Sequence, residues 1–559
     1  MPTTQPKTRC ECTRVFLRTR REKSKAWNLR PLVTALCLLG AITACRPPVP
    51  PADLRIINGS EPESLDPALI TSLADSRIVR SLFEGLTRLN GETARPEPAI
   101  AESWEISDDG TIYNFHLRRD AKWSDGKPIT SADVVYSWRR VLDPLTAADY
   151  AGQLYFVKNA EAFNTGKFDE ELGRKVTAKD VAVWAVDEHT VQVQLVGPTA
   201  FFLDLCAFPT LAIVPRHWIE EHGDHWIVEP GLPVNGTYQL EFWRLNDRVR
   251  VRANPHHWAA HEVQSKVIDF IPMNSPATAL NLFESGEADI IWDKSLIPSS
   301  LMDVLRQRPD CHTFGYLGSY FFRFNVTRKP FDDIRVRRAL ALAIDKQRIV
   351  ENITKAGEQA AYHFVPPGTA NYESPTGPNH DPDKARQLLA DAGFPGGKDF
   401  PLFTYLMNNS PIDAQISVEL QAMWEKELGI KMEIRQMEWK VYLSEQNKLN
   451  FDLSRSSWIG DYNDANTFLD MFMSNNGNNR TGWKSEEYDQ LIRDANQQTD
   501  LEKRKQMLRQ AETTIINEEL IIVPIYFYAG VNFFDPKKIS GIYFNLLDEH
   551  PVHLIAKKK

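Results

Sequence analysis

Cysteine is scarce in this chain, six in 559 residues, and Cys10, Cys12 and Cys37 all precede Cys45, which ends an apolar segment. If Cys45 is modified, only Cys206 and Cys311 are left to pair, so a core rather than a set of staples must hold the fold. Long apolar runs are missing too. The most apolar stretch near the N-terminus, Pro31 to Ala44 (PLVTALCLLGAITA), is shorter than the roughly 20 residues a membrane-spanning helix requires. Positive charge is in deficit, with 65 Lys and Arg against 74 Asp and Glu. Residues 1–44 hold nine of the basic residues and two of the acidic ones, which leaves −16 on the remainder. Such a surface offers no basic field for nucleic acid. There is no G-x-S-x-G elbow, no H-E-x-x-H pair and no Walker-type loop, so hydrolase and nucleotide chemistry lack a visible nucleophile, metal site or phosphate cradle. His257 and His261 are four apart with His256 adjacent, but they follow a strand pattern in ANPHHW and read as a turn. His217, His222 and His225, among Glu220, Glu221 and Asp224, read as a solvated helix end. Neither a metal nor a cofactor is expected.

What the chain does have begins at the N-terminus. A basic region precedes the apolar run, in the order of a secretory signal, and Ile42-Thr43-Ala44-Cys45 is similar to a lipobox, a branched apolar residue and two small ones before a lipidated cysteine. On that reading residues 1–44 are a lipoprotein signal peptide, and Cys45 carries the lipid that tethers the protein to a membrane in the periplasm or cell envelope. An ordinary signal peptide or a buried helix is the alternative, and export follows under either signal reading. The basic stretch is longer than usual, and Arg20-Arg21 is not continued as a twin-arginine motif by Glu22-Lys23-Ser24. Residues 45–52, with RPPVPP at Arg46 to Pro51, form a stiff Pro-rich spacer behind the lipid. The 515 residues from Cys45 onward are enough for several domains' worth of core.

Beyond the spacer, helix and strand signals mix in segregated runs, which points to α/β lobes. Helices are predicted over Asp332 to Lys346; over Asp383 to Ala392, with Asp381 as cap, Pro382 first and Gly393 as stop; over Ile412 to Leu428, ending at Gly429; and after Ser485 and Leu501. LRIIN, TVQVQLV, RVRVRAN and KMEIRQM read as strands. The densest signal is ESWEISDDGTIYNFHLRRDAKWSDGKPITSADVVYSWRRVLDP, Glu102 to Pro144. Tyr113, Phe115 and Leu117 alternate as one face of a half-buried strand, Asp125-Gly126 turns the chain, and Thr130 with Asp133 starts a helix that Asp143-Pro144 stops.

That block resembles the signature region of the bacterial extracellular solute-binding proteins of the peptide/nickel type, family five, and most closely the oligopeptide-binding type. The resemblance continues in order through SEPESLDPAL, LFEGL, LPVNGTYQL, SGEADI, RKPFDDIRVRRALALAIDK, ARQLLADAGFP and RSSWIGDYNDANTFLDMF, covering almost everything after Pro51. It implies an α/β, two-lobed, hinged periplasmic-binding-protein fold of the extended type. Lobe one would be 53–83, 216–317 and 530–559, an additional subdomain 84–215, and lobe two 318–529. It also implies a non-enzymatic, monomeric receptor that closes on an extended oligopeptide and delivers it to the permease of an ABC importer in the inner membrane. Rival readings are the same fold with a dipeptide, murein peptide, nickel chelate or haem as cargo, an exported hydrolase, or an envelope chaperone.

The resemblance also implies site residues. Asp461, in a Gly-Asp-Tyr-Asn-Asp loop, would pair with the ligand's α-ammonium, with Arg455 and Trp458 as neighbours. Read alone, Asp461 is one turn former among several. Main-chain pairing, the one recognition mode common to all peptides, would come from Ser456 to Gly460, which includes Ile459, and from Gly318 to Phe322. Cleft aromatics would be Tyr150, Trp292, Tyr316, Trp439, Trp458 and Tyr528, with core packing as the rival for each. Two departures stand out. Gly318 and Ile459 occupy places where some relatives carry a cysteine pair. Thr71, Thr354 and Asp413 stand where relatives place charges for the peptide's carboxyl end, of which only Arg455 is kept.

Overall fold

The computed structural model describes residues 50–558 except Glu171. Residues 1–49, including Cys45 and most of the spacer, lie outside the described residues. From Ala52 onward the chain is organised around an eleven-stranded mixed sheet. One end holds Tyr238–Arg244, Arg248–Ala253, Val267–Pro272, Leu54–Gly59 and Ile290–Ile291, in that order. The other holds Leu453–Ile459, Phe403–Asn408 and Met432–Met437. Two long antiparallel strands, Cys311–Phe324 and Ile522–Phe534, join the ends, and Gln359–Ala360 pairs with the second of them. We label Cys311–Phe324 β1, Leu453–Ile459 β2 and Ile522–Phe534 β3.

Alternation along these strands feeds a core on each face. Tyr320, Phe322 and Phe324 of β1 join Tyr405, Ile416 and Trp424, whereas Leu317 and Phe321 join Phe364, Phe468 and Phe472. At the other end Leu54, Ile56, Val251 and Phe270 share one cluster, and Ile57, Ile291, Val531 and Phe533 another. Burial on both faces explains why these strands read as near-continuous apolar runs. A separate four-stranded antiparallel sheet, Ala101–Ile106, Ile112–Leu117, Thr190–Gln194 and Val183–Asp187, packs with the helix Ser131–Leu142 around Phe115, Trp138 and Phe202.

The local signals hold in detail. Tyr113, Phe115 and Leu117 are the buried positions of Ile112–Leu117. Thr130 and Asp133 form a capping box, the Thr130 amide donating to Asp133 Oδ2 at 2.8 Å. The Asp381 side chain accepts from the Lys384 amide at the start of Pro382–Asp391, and Gly429 ends Pro411–Leu428 in the left-handed region at φ 69°. One expectation needs correction. Asp332 to Lys346 is not a single helix but Ile334–Leu342 followed by Lys346–Ile349. The Asp345 carboxylate accepts from the Arg348 amide and so starts a new helix inside the apolar pattern.

The long strands do not keep one register between the two ends. Gly315 pairs with Ala529 and Ser319 with Phe527, so β1 advances four residues while β3 advances two. Released from this ladder, Leu317 accepts from the Gly460 amide at 2.8 Å and donates its own amide to the Leu546 carbonyl at 2.7 Å. Gly318 sits opposite Ile459 of β2. A Cβ on Gly318 would lie 2.5 Å from Ile459 Cδ1 and 3.1 Å from Tyr528 Cδ2, so the isoleucine fills the space the glycine leaves. Gly318→Val is expected to cost about 1–3 kcal/mol of stability through overpacking. Ile459→Ala in the same protein should recover part of that loss, as read from denaturation midpoints. Penalties that simply add would show that the two side chains do not compete for this space.

Candidate binding cleft

The register break opens onto a cavity of about 400 Å³. Its walls come from the N-terminal half of helix α1 (Leu73–Leu82) with Ile70 to Ser72 before it, from Tyr150 and Phe208 to Thr210, from Tyr316 and Leu317, from Ser457 to Tyr462, and from Leu546, Leu547 and Glu549. Asp461 reaches this wall because Gly460 lets the end of β2 press against β1. A Cβ at Gly460 would meet Leu317 Cδ2 at 2.6 Å. The Asp461 amide donates to Thr467 Oγ1 at 3.3 Å, which turns the chain as it leaves the strand.

The Asp461 carboxylate has one side-chain partner, the neutral Gln153, whose Nε2 donates to Oδ2 at 3.2 Å. Burial pushes the carboxyl up to about 6, Gln153 opposes this, and no cation contributes. Asp204, also on the wall, is pushed up to about 7 by burial and by Asp464. Behind the wall, burial, Asp461 and Asp464 raise Asp470 to about 7. The tyrosine hydroxyl of Tyr150 is pushed up to about 12, first by burial and then by Asp461. Of the nearby cations, Arg504 forks onto Asp464 at 2.7 and 2.8 Å, Arg80 pairs with Glu549 at 2.9 Å, and Arg95 acts on Asp204. Among the described residues Asp461 is therefore a wall carboxylate that no cation offsets, an arrangement suited to a cationic ligand group.

The structure gathers six of the expected residues at the cavity, Tyr150, Tyr316, Trp458, Ile459, Gly460 and Asp461. Gly318 stands immediately behind them on β1. Trp292 lines a smaller adjoining cavity with Arg77 and His550, and Trp439 is half exposed and stacks on Tyr442. Arg455 is not on the wall. Its Nε lies 3.4 Å from Asp413 Oδ2, its Nη2 donates to the Tyr528 hydroxyl at 3.3 Å, and its guanidinium covers the Tyr320 ring. The expected main-chain contact over Gly318 to Phe322 also needs narrowing. Ser319 to Phe322 pair with β2 on one side and β3 on the other, so their ladder is closed to a ligand. What is left over is the outer edge of β2 beyond Ser454, where pairing with Phe403–Asn408 ends, together with Tyr316 at the break, because Leu317 and Gly318 are already bonded or paired.

Several residues here had no signal in the sequence. Gln153, Asp204, Phe208 and Glu549 come from distant segments with no motif of their own, and the fold alone makes them neighbours. Thr71, noted as a departure, lines the cavity. Cys206 and Cys311 are buried, free thiols. His257 faces Glu84 at 3.1 Å, and that pairing, with a Trp258 hydrogen bond, holds Glu84 at about 2 despite burial.

Comparison with known proteins places this geometry. The model of the family described as "Bacterial extracellular solute-binding proteins, family 5 Middle" matches residues 95–480. The periplasmic oligopeptide-binding protein of Salmonella typhimurium is 34% identical over 518 residues, 90% of this chain and 93% of that protein. A probable deoxycholate-binding periplasmic protein of Escherichia coli is 35% identical over 519 residues, covering 90% and 94%. The crystal structure of a periplasmic oligopeptide-binding protein of Borrelia burgdorferi superposes with a TM-score of 0.77 at 30% identity, over 91% of this chain and 100% of that one. The two-lobed α/β architecture is the same. Among the described residues no helix is long and apolar enough to cross a membrane.

Asp461 gives a pH signature. With its ordinary value near 3.8 raised to about 6, the ligand-free folded protein holds a proton there below about pH 6, and a bound cation must displace it. Affinity for a cationic ligand should fall as pH drops through about 6, by up to about tenfold per unit. Calorimetry in buffers of different ionisation enthalpy should detect proton release near that pH. Because Asp204 and Asp470 titrate nearby, Asp461→Asn identifies the source: release that survives the substitution would assign the proton to them.

Proposed function

This chain belongs to the bacterial extracellular solute-binding proteins, family 5, which are binding proteins rather than enzymes, and we propose that it captures extended oligopeptides in this cleft and hands them to the permease of an ABC importer. The observation that carries the reading is the carboxylate of Asp461, facing the cavity with no cation beside it. Peptides differ in every side chain but share an α-ammonium, and a charge-assisted bond to it in a closed, water-poor cleft is a strong single contact. The outer edge of β2 beyond Ser454, with Tyr316 at the register break, supports strand-like pairing with the rest of the ligand. A deoxycholate-type anion, the cargo in the name of one relative, has no ammonium to offer Asp461.

On this reading the working step is closure. Residues 53–83, 216–317 and 530–559 form one lobe, 318–529 the other, and 84–215 a subdomain that adds Tyr150 and Gln153 to the cleft. A ligand that touches both lobes only when they are closed shifts the hinge equilibrium toward the form the permease accepts. The protein acts as a monomer, tethered through lipid on Cys45 and held off the bilayer by the Pro-rich spacer.

Asp461→Asn keeps the shape and removes the charge, leaving a desolvated ammonium unpaired, which costs on the order of 3–5 kcal/mol. That corresponds to roughly a hundred- to several-thousand-fold weaker binding. N-acetylating the peptide deletes the other partner, so it should harm the wild type severely and Asp461→Asn far less. Equal losses in both proteins by calorimetry would show that Asp461 does not hold the amine.

The anchor is tested separately. Cys45→Ala should move the protein from the membrane fraction to the soluble one, and a wild type that carries no lipid mass and is already soluble would remove the tether from this account.

A further inference from the structure

Asp461 accounts for one end of the ligand, and the relatives' pattern left only Arg455 for the other. The geometry removes Arg455 from that role, because Asp413 already compensates its charge and the pair is almost closed to solvent, at 12% and 3% side-chain exposure. Two other cations beside the cavity are committed as well. Arg80 is held by Glu549 and the Ala207 carbonyl. Arg77 donates to the Asn58 and Trp292 carbonyls and to Asp548.

Lys294 is different. It stands in a single 3₁₀ turn, Lys294–Leu296, just after the strand Ile290–Ile291. Its ammonium lies 4.3 Å from the ring centre of Tyr316 and 4.1 Å from that of Tyr528. These two rings belong to the segments of β1 and β3 that fall out of register, so the charge is poised directly over the break, and Tyr316 is itself part of the cavity wall. Among the described residues Lys294 makes no ion pair, and each acid that faces it accepts from other donors. Asp293 caps its own turn through the Ser295 amide, Glu358 accepts from the Ala356 amide, and Asp548 serves His550, Asn532 and Arg77. Two tyrosine faces attract a cation but supply no acceptor for its N–H groups.

We propose that Lys294 is the counter-charge for a carboxylate of the ligand, so that the cleft reads a zwitterion with Asp461 at the ammonium and Lys294 at the acid. This rests on the peptide reading above and adds to it which residue takes the anionic group. Burial lowers the ammonium to about 8, opposed first by Asp548 and then by Asp293 and Glu358, while Arg77 assists the lowering. A bound carboxylate would restore the charge.

The probes are trialanine, its C-terminal amide and its N-acetyl form, titrated into the purified wild type, Lys294→Met and Lys294→Arg. Amidation should weaken binding to the wild type by roughly ten- to hundredfold, the worth of a hydrogen bond to a charged group. Lys294→Met should bind the free acid about as poorly as the wild type binds the amide and should not distinguish the two. Lys294→Arg should keep the discrimination. In the wild type the preference for the acid should be full below pH 8 and fade as pH rises past it, while sensitivity to N-acetylation persists. That pH series and the arginine variant decide the matter even if Lys294→Met is unstable. Sensitivity to acetylation without sensitivity to amidation would overturn the Lys294 assignment alone. Failure of the wild type to bind any of the three probes would overturn the peptide reading and this assignment together.

Discussion

Two strands that run from one end of a twisted sheet to the other cannot open a pocket between the ends while keeping an unbroken ladder. Here the conflict is resolved by a slip in register, four residues of β1 against two of β3. The rest of the cleft depends on that slip. It frees Leu317 to bond Gly460 and Leu546, points Tyr316 at the cavity, and brings Gly318 so close to Ile459 that a Cβ on the glycine would meet the isoleucine Cδ1 at 2.5 Å. Backbone groups that leave a ladder must find other partners, and Leu317 finds its partners in two distant segments. Those bonds draw the end of β2 and the C-terminal stretch around one space.

Charge around that space is divided into two kinds. Arg455 with Asp413, Arg504 with Asp464, and Arg80 with Glu549 are internal pairs, each costly to break because an orphaned charge would be left in a poorly hydrated place. Asp461 and Lys294 are the unpaired kind. The fold gives neither an ion pair among the described residues and holds both partly away from water, and burial is the largest reason their proton affinities move in opposite directions from their ordinary values. Such groups weaken the ligand-free state and are relieved by a ligand, a pattern expected of a receptor more than of a structural core.

Residues 84–215 contribute contacts as well as walls. Phe201 stacks on Tyr462 with ring centres 4.1 Å apart, and Gln153 reaches Asp461. Tyr462 is thereby buried in the core of the smaller four-stranded sheet, although it follows β2 in the chain. The loop bearing the acid is fixed from one side by Leu317 and from the other by Phe201, so its carboxylate is positioned by packing rather than by a counter-ion.

Local features were legible in the sequence because their causes are local. Alternation at Tyr113, Phe115 and Leu117, the Thr130–Asp133 box, the Asp381 cap and the Gly429 stop each depend on residues a few positions apart, and all appear as expected. Where two local signals competed, at Asp345, periodicity favoured one helix while a capping carboxylate made two. Family resemblance pointed to Asp461 and the aromatic positions, and six of the expected residues do meet at the cavity. The sequence could not show that Asp413, 42 positions before Arg455, would neutralise it, nor that Lys294 would lie over two tyrosines from different strands without an ion pair among the described residues. Charge compensation is a property of distances across the fold. Chain order determined the elements and the residue types, but the tertiary structure alone decided which charges found partners and which did not.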